Sequence, residues 1–144
     1  SDLLDGLQAA ILRVKLTRLA ADNERRHAIA RLYDASLVDW PGALPKVTAG
    51  FGHVFHQYVV RCRDRDSLRQ RLQADGIGSN VHYPVPVHLQ AAYRDRVALG
   101  PSGLAATEQA AQEIVSLPMF PQLTDQQIAR VAAAIHTAGD LQDR

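Results

Sequence analysis

The sequence predicts an α+β fold: a long N-terminal helix, then a small, mainly antiparallel sheet covered by helices. Three observations predict it. Apolar residues recur at helical spacing over residues 2 to about 36. Only short stretches in the middle of the chain have strand character. Two further helical segments follow, the last of them opened by a capping signal. The 144 residues suffice for one domain with its own core, and 47% apolar against 22% charged residues marks an ordinary soluble chain.

Residues 2 to about 36 read as one helix, with Asp2 as N-cap and Asp5 in the first turn. Leu4, Leu7, Ile11, Val14 and Arg18 follow helical spacing, Ile29, Leu32 and Tyr33 resume it, and Asp22-Asn23-Glu24 holds no breaker. A helix of this length in so small a chain bridges two bodies or packs against something outside its own domain. Pro41, Gly42, Pro45, Gly50 and Gly52 make 39–52 a loop. HVFHQYVVRC (53–62) alternates as a strand, with Val54, His56, Tyr58 and Val60 on one face and Phe55, Gln57, Val59 and Arg61 on the other. Asp64 to Ala74 is a charged helix stopped by Gly76, and GIGSNVHY (76–83) has the character of a second strand. Pro84 and Pro86 lack amide donors, so PVPVH (84–88) cannot continue a central strand. A short helical turn (88–97), a loop (99–103), an Ala-rich helix (104–115) and an extended SLPMFP (116–121) follow. Thr124 opens the final helix with the capping box T-D-Q-Q, and Ile128, Val131, Ala132 and Ile135 form its buried face. The chain divides into a linking helix, 1–37, and a small domain, 38–144, within a single domain overall.

Composition narrows the function. A net charge of +1 argues against nucleic acid, an anionic membrane or an acidic partner. Cys62, the one cysteine, allows no internal disulfide and no Cys-rich metal site, and its strand-like surroundings suit a buried, inert thiol. No stretch approaches the roughly 20 apolar residues of a membrane span. The N-terminus looks like an amphipathic helix and not a leader, which makes a cytoplasmic setting the expectation. The missing initiator Met suits processing, a cut tag or a piece of a longer chain.

Four of the six histidines form two pairs, His53/His56 and His82/His88. Three apart on a strand, His53 and His56 face opposite ways, and no Cys or carboxylate lies close in sequence, so no metal site is expected. Gly78-Ser79-Asn80 lacks the G-x-S-x-G elbow of a hydrolase. Gly76-Ile77-Gly78 follows a helix and suits a helix stop, not a dinucleotide fingerprint. HYPVPVH (82–88) joins a His, a phenol and two stiffening prolines at a predicted strand end. That pattern suits either a preorganised site or a Pro turn with packed rings.

LLDGLQAAILRVKL (3–16), NERR (23–26), HVFHQYVVR (53–61), GIGSNVHYPVPVHLQAAY (76–93) and SLPMFPQLTDQQI (116–128) resemble, in order, the C-terminal part of the DegT/DnrJ/EryC1/StrS family. The resemblance covers nearly the whole chain. It implies the small domain of a type I pyridoxal-phosphate fold, in an enzyme that moves an amino group, usually from glutamate, onto a nucleotide-linked keto sugar or a cyclitol. In the complete enzyme it implies pyridoxal 5′-phosphate, held by a large N-terminal domain with the Schiff-base lysine and phosphate cup, and a homodimer with sites at the subunit interface. His82 and Tyr83, with His88 as a third residue, are then substrate-side contacts to sugar or nucleotide and not proton-transfer groups. Ser1 and Leu3 stand where the family often has Asn and Arg reaching toward the neighbouring subunit's cofactor or substrate. The Ser1 hydroxyl can replace one hydrogen bond on the phosphate side, but Leu3 cannot replace a guanidinium. Leu7, Ile11, Ile29, Leu117, Ile128 and Val131 take core roles, and His56 and Tyr58 belong to a central strand.

Plain chemistry adds a constraint. A pyridoxal-phosphate aminotransferase needs a lysine for its Schiff base and proton shuttle. This chain has two lysines, Lys15 on the long helix and Lys46 in the Pro/Gly loop, and the family's lysine precedes the whole matching region. There is also no Gly/Ser-rich phosphate cradle at a helix N-terminus. No catalytic residue and no autonomous transamination are expected from these residues alone. The competing readings are a stand-alone, non-catalytic domain that binds a partner or sugar nucleotide, and a small hydrolase or metal protein.

Overall fold

The computed structural model describes residues 2–94 and 96–139, with the helical backbone only for Asp2–Leu4, Ala138 and Gly139. Its elements are α1 (Asp2–Leu16), α2 (Leu19–Ser36), β1 (Tyr58–Arg61), α3 (Arg65–Ala74), a 3₁₀ turn (Val87–Leu89), α4 (Ala105–Glu113), β2 (Ile114–Leu117) and α5 (Asp125–Gly139). The architecture is α+β, a small antiparallel sheet with helices packed on it.

The N-terminal helix is interrupted once. Thr17 Oγ1 donates to the Val14 carbonyl at 2.7 Å, and the Arg18 amide takes Lys15 O at 3.0 Å, one residue short of helical spacing. A hydroxyl competing for the preceding turn's carbonyls suffices to separate α1 from α2 without Gly or Pro. Asp2, expected as the N-cap, is instead the first helical residue of α1, which moves the cap position one residue earlier, outside the described residues.

β1 and β2 pair antiparallel in the register Tyr58↔Leu117, Val59↔Ser116, Val60↔Val115 and Arg61↔Ile114. Single bridges extend the sheet on both sides, Ala43 to Arg61 and Asn80 to Ser116. The expected strand over 53–62 therefore shrinks to 58–61, because the chain bends before it: Phe55 has φ +47° and its amide is held by His53 Nδ1 at 3.1 Å. His56 consequently lies outside the strand and is exposed. The expected strand over 76–83 supplies only Asn80. The strand that pairs β1 is built from Ile114 and Val115, which leave the Ala-rich helix early, and Ser116 and Leu117. β-branched residues at its start favour that exchange.

One sheet face carries Tyr58, Val60, Val115 and Leu117, all buried under α2, α3 and α5 together with Ile29, Tyr33, Leu72, Ile128, Val131 and Ile135. The tyrosines 33 and 58 lie 4.9 Å apart ring to ring; Tyr33 donates to Pro118 O (2.9 Å) and Tyr58 to Asp34 Oδ1 (2.5 Å). Caps hold the covering helices. Asp64 accepts from Ser67 N in α3. At its other end Gly76 (φ +71°) donates to Gln73 O and Ile77 to Leu72 O, a Schellman stop closed by the buried Leu72 and Ile77. Thr124 and Gln127 satisfy each other's amides at the start of α5, as the capping box predicts. Leu7 and Ile11, expected in the core, are instead 59% and 50% exposed. Nothing in the described chain covers α1.

Candidate functional site

The second sheet face, opposite the helices, carries the polar groups. Ser116 is the one buried polar residue among those described. It bridges Asn80 through the backbone, and period-two geometry puts Asn80 and His82 on the same face beside it. Asn80 Nδ2 lies 3.0 Å from His82 Nε2, and His82 Nδ1 lies 2.9 Å from Ser116 Oγ. The Val81 amide donates to Asn80 Oδ1 at 2.9 Å, which fixes the amide's orientation. Nδ2 must therefore donate to Nε2, the ring proton sits on Nδ1, and Nδ1–H donates to Ser116 Oγ.

This polarity bears on the hydrolase reading. A nucleophilic serine needs a ring nitrogen that accepts its proton. Here the nitrogen facing Ser116 is the donor, so the neighbouring Ser and His do not form a nucleophile and base.

His82 is half-buried, with both ring nitrogens engaged inside the chain. Its peptide bond to Tyr83 is cis, and the Tyr83 ring stands edge-on to the imidazole at 6.0 Å. Tyr83 is 76% exposed. It borders an apolar cleft of about 480 Å³ that also includes Val85, Val87, Ala110 and Ile114. His88 turns inward, its side chain 8% exposed, and Nε2 meets Glu108 Oε1 at 2.9 Å, fastening the 3₁₀ turn to α4. The three expected residues thus share one edge: both ring nitrogens of His82 are engaged, His88 is held through Nε2, and the Tyr83 hydroxyl makes no hydrogen bond among the described residues. Ser1 lies outside the described residues, as does the Leu3 side chain.

On the other side of His82 opens a cleft of about 460 Å³, between the bend at His56–Gln57, the turn at Gly78–Asn80 and Leu117–Met119. Arg26 shapes its rim. One guanidinium nitrogen donates to the carbonyls of Phe55, His56 and Met119 at 3.1 to 3.2 Å. Arg25 beside it holds Leu123 O and Asp125 Oδ1 at 2.5 and 2.8 Å. Sequence reasoning missed Asn80, Ser116 and Arg26 as parts of the site. The signals were available for two of them: Asn80 stands two before His82, and Ser116 is the polar break in the strand IVSL.

The groups that hold a pyridoxal cofactor do not fit this chain. Lys15 and Lys46 are both exposed, and neither lines the cleft at Tyr83 or the cleft beside His82. Burial, reinforced by the Asp64 carboxylate, pushes the Cys62 thiol up to about 11, which leaves little thiolate for nucleophilic chemistry at neutral pH. Among the described residues no three His, Cys, Asp or Glu side chains group as metal ligands, and no helix is long and apolar enough to cross a membrane.

Residues 3–136 match the DegT/DnrJ/EryC1/StrS aminotransferase family. A UDP-N-acetyl-3-dehydro-α-D-glucosamine 3-aminotransferase of Acidithiobacillus ferrooxidans is 39% identical over 132 residues, which are 92% of this chain and 35% of that protein. Among solved structures, a DegT DnrJ EryC1 StrS aminotransferase from Brucella abortus superposes with a TM-score of 0.86 at 36% identity, over 92% of this chain and 35% of its own. S. venezuelae DesV, in complex with a ketimine intermediate, gives 0.85 at 40% identity, over 91% of this chain and 36% of its own. The chain spans about a third of the length of the relatives it matches.

Proposed function

The chain belongs to the DegT/DnrJ/EryC1/StrS aminotransferase family, and we propose that it is the C-terminal small domain of a pyridoxal-phosphate-dependent aminotransferase acting on a nucleotide-linked keto sugar or a cyclitol. One observation carries the reading: nine-tenths of this chain matches one third of enzymes whose remaining two thirds have no counterpart in it. The absent lysine supports it, since the cofactor holders then belong to the rest of the protein. Bound there, the coenzyme supplies an electron sink for the migrating amino group.

Residues 1–37 link the two domains and 38–144 form the small one, with α1 offering Leu7 and Ile11 to the larger body. The small domain contributes the substrate-side edge. Tyr83 contacts sugar or nucleotide through its free hydroxyl and ring. His82 and His88 hold that edge, one through Asn80 and Ser116, the other through Glu108. Ser1 serves the phosphate side of the neighbouring subunit in a cytoplasmic homodimer.

Two measurements test this. An absorbance scan of the 144-residue chain with added pyridoxal phosphate should show no aldimine band beyond that of free lysine at the same concentration. A band that saturates at one coenzyme per chain would overturn the reading. Joined to the N-terminal two thirds of a relative, the chain should support transamination, and Tyr83→Ala should lower kcat/KM roughly tenfold, the loss of one well-placed contact of about 1.4 kcal/mol, while coenzyme absorbance stays intact. A joined protein that holds the coenzyme but never turns over a nucleotide sugar would favour a non-catalytic domain.

A further inference from the structure

We propose that the cleft beside His82 is a subsite for an uncharged ring bearing acceptor oxygens, with one such oxygen taking the proton of the Ser116 hydroxyl. The hydrogen bonds run one way. Val81 N–H donates to Asn80, Asn80 to His82, and His82 to Ser116 Oγ. Ser116 Oγ already accepts, and among the described residues its own hydrogen meets no protein acceptor. The residue is only 6% exposed, yet it lines the cleft. A polarised chain that ends on a buried hydroxyl with an unspent donor calls for an acceptor in the cleft.

The remaining walls define that acceptor's chemistry. No Lys, Arg, Asp or Glu lines the cleft, and Arg26 at its rim spends a guanidinium nitrogen on three backbone carbonyls, so the lining itself offers an ionic group no fixed counter-charge. Gln57 is half-buried, and its side-chain amide makes no hydrogen bond within the described chain, leaving a donor and an acceptor side by side. Pro118 and Met119 supply apolar floor. Amide, hydroxyl and apolar floor in about 460 Å³ suit one or two polar rings and no phosphate. A sugar ring and a nucleobase share this chemistry. The inference deepens the substrate reading above and rests on it only for the ligand's origin.

The test is a titration of the isotopically labelled 144-residue chain with two neutral probes, uridine and methyl glucoside, followed by amide shifts. The expected result is saturable shifts of Gln57, Asn80 and Ser116 by one probe, with a dissociation constant on the order of millimolar for so small a ligand. Uridine alone identifies a base subsite and the glucoside alone a sugar subsite. Ser116→Ala should weaken binding about fivefold, the worth of one neutral hydrogen bond. Should that variant unfold, Gln57→Ala carries the same expectation, since its side chain holds nothing in the fold. Silence from both probes, shifts elsewhere, or undiminished binding by Gln57→Ala would overturn the subsite. Transamination without neutral-ligand binding would sink the subsite alone. Neutral-ligand binding without transamination would keep it and sink the aminotransferase reading.

Discussion

Tyr33 and Tyr58 sit at the contact between α2 and the sheet, both fully buried. Burial raises each phenol above its ordinary value of 10, and at Tyr58 the hydrogen bond to Asp34 raises it further. Below pH 10 the folded and unfolded chains both keep these protons, so the stabilisation is fully present. Above it the unfolded chain ionises and the folded chain does not. Stability should therefore fall as pH rises beyond 10, by roughly 1.4 kcal/mol per pH unit for each phenol. Urea midpoints at pH 9, 10 and 11 read this directly. Tyr58→Phe should cost about 1 kcal/mol at pH 7 and remove one phenol's share of the alkaline slope, to which the buried Cys62 thiol, raised to about 11, adds a share of its own. A Tyr33→Phe, Tyr58→Phe double variant that keeps the whole slope would refute the assignment. At this scale the sequence was partly legible. Tyr58 showed as a strand residue, and His82 and Tyr83 stood out by their prolines. Asp34 as the Tyr58 partner, Ser116 under His82 and Glu108 under His88 are separated by 20 to 34 positions from the groups they bind. Pattern along the chain carries no information about such pairs.

Elements were legible where their signals are local. The caps of α3 and α5 follow from Asp64, Gly76 and Thr124, each within three residues of its partner. The string Gly76-Ile77-Gly78 shows how local geometry separates a needed glycine from a tolerated one. Gly76 has φ +71°, and an added Cβ there would meet only Arg130 Nη2 at 3.7 Å, so the cost of a side chain is backbone strain without a clash. Gly76→Ala should destabilise by about 1 kcal/mol or a little more and lower Tm by a few degrees. Gly78, where an added Cβ would meet nothing within 4 Å, should accept Ala with no loss, and thermal melts of the two variants side by side check the contrast. Equal melting of both would remove the Schellman stop as the reason for Gly76. Strand boundaries were less legible. β1 pairs β2 across more than fifty residues, and the bend before β1 depends on Arg26 collecting carbonyls from both sides of the sheet. Alternation alone made that strand longer than the pairing allows.

At the scale of the whole molecule, α1 sets the outstanding question. Leu7, Ile11 and Val14 share a face of the helix and are 59%, 50% and 70% exposed, while the core is complete without them. Helical spacing alone makes α1 amphipathic, and a buried face for Leu7 and Ile11 is the natural expectation; what spacing cannot say is which body buries them. Covering side chains of this size is worth on the order of 2 kcal/mol each, so the face holds several kcal/mol that this chain does not use for its own stability. Removing residues 1–17 should therefore leave Tm within a degree or two of the intact chain, because no core contact is lost. A fall of several degrees would show that α1 belongs to the domain it precedes. Leu7→Glu with Ile11→Glu should likewise melt as the parent does, yet it should weaken assembly with the N-terminal part of the protein by several kcal/mol, through the lost burial and the charges brought into the contact. Sedimentation or titration of the two parts measures that loss. Unimpaired assembly would assign the exposed face to a different neighbour and leave the linking role of α1 without support.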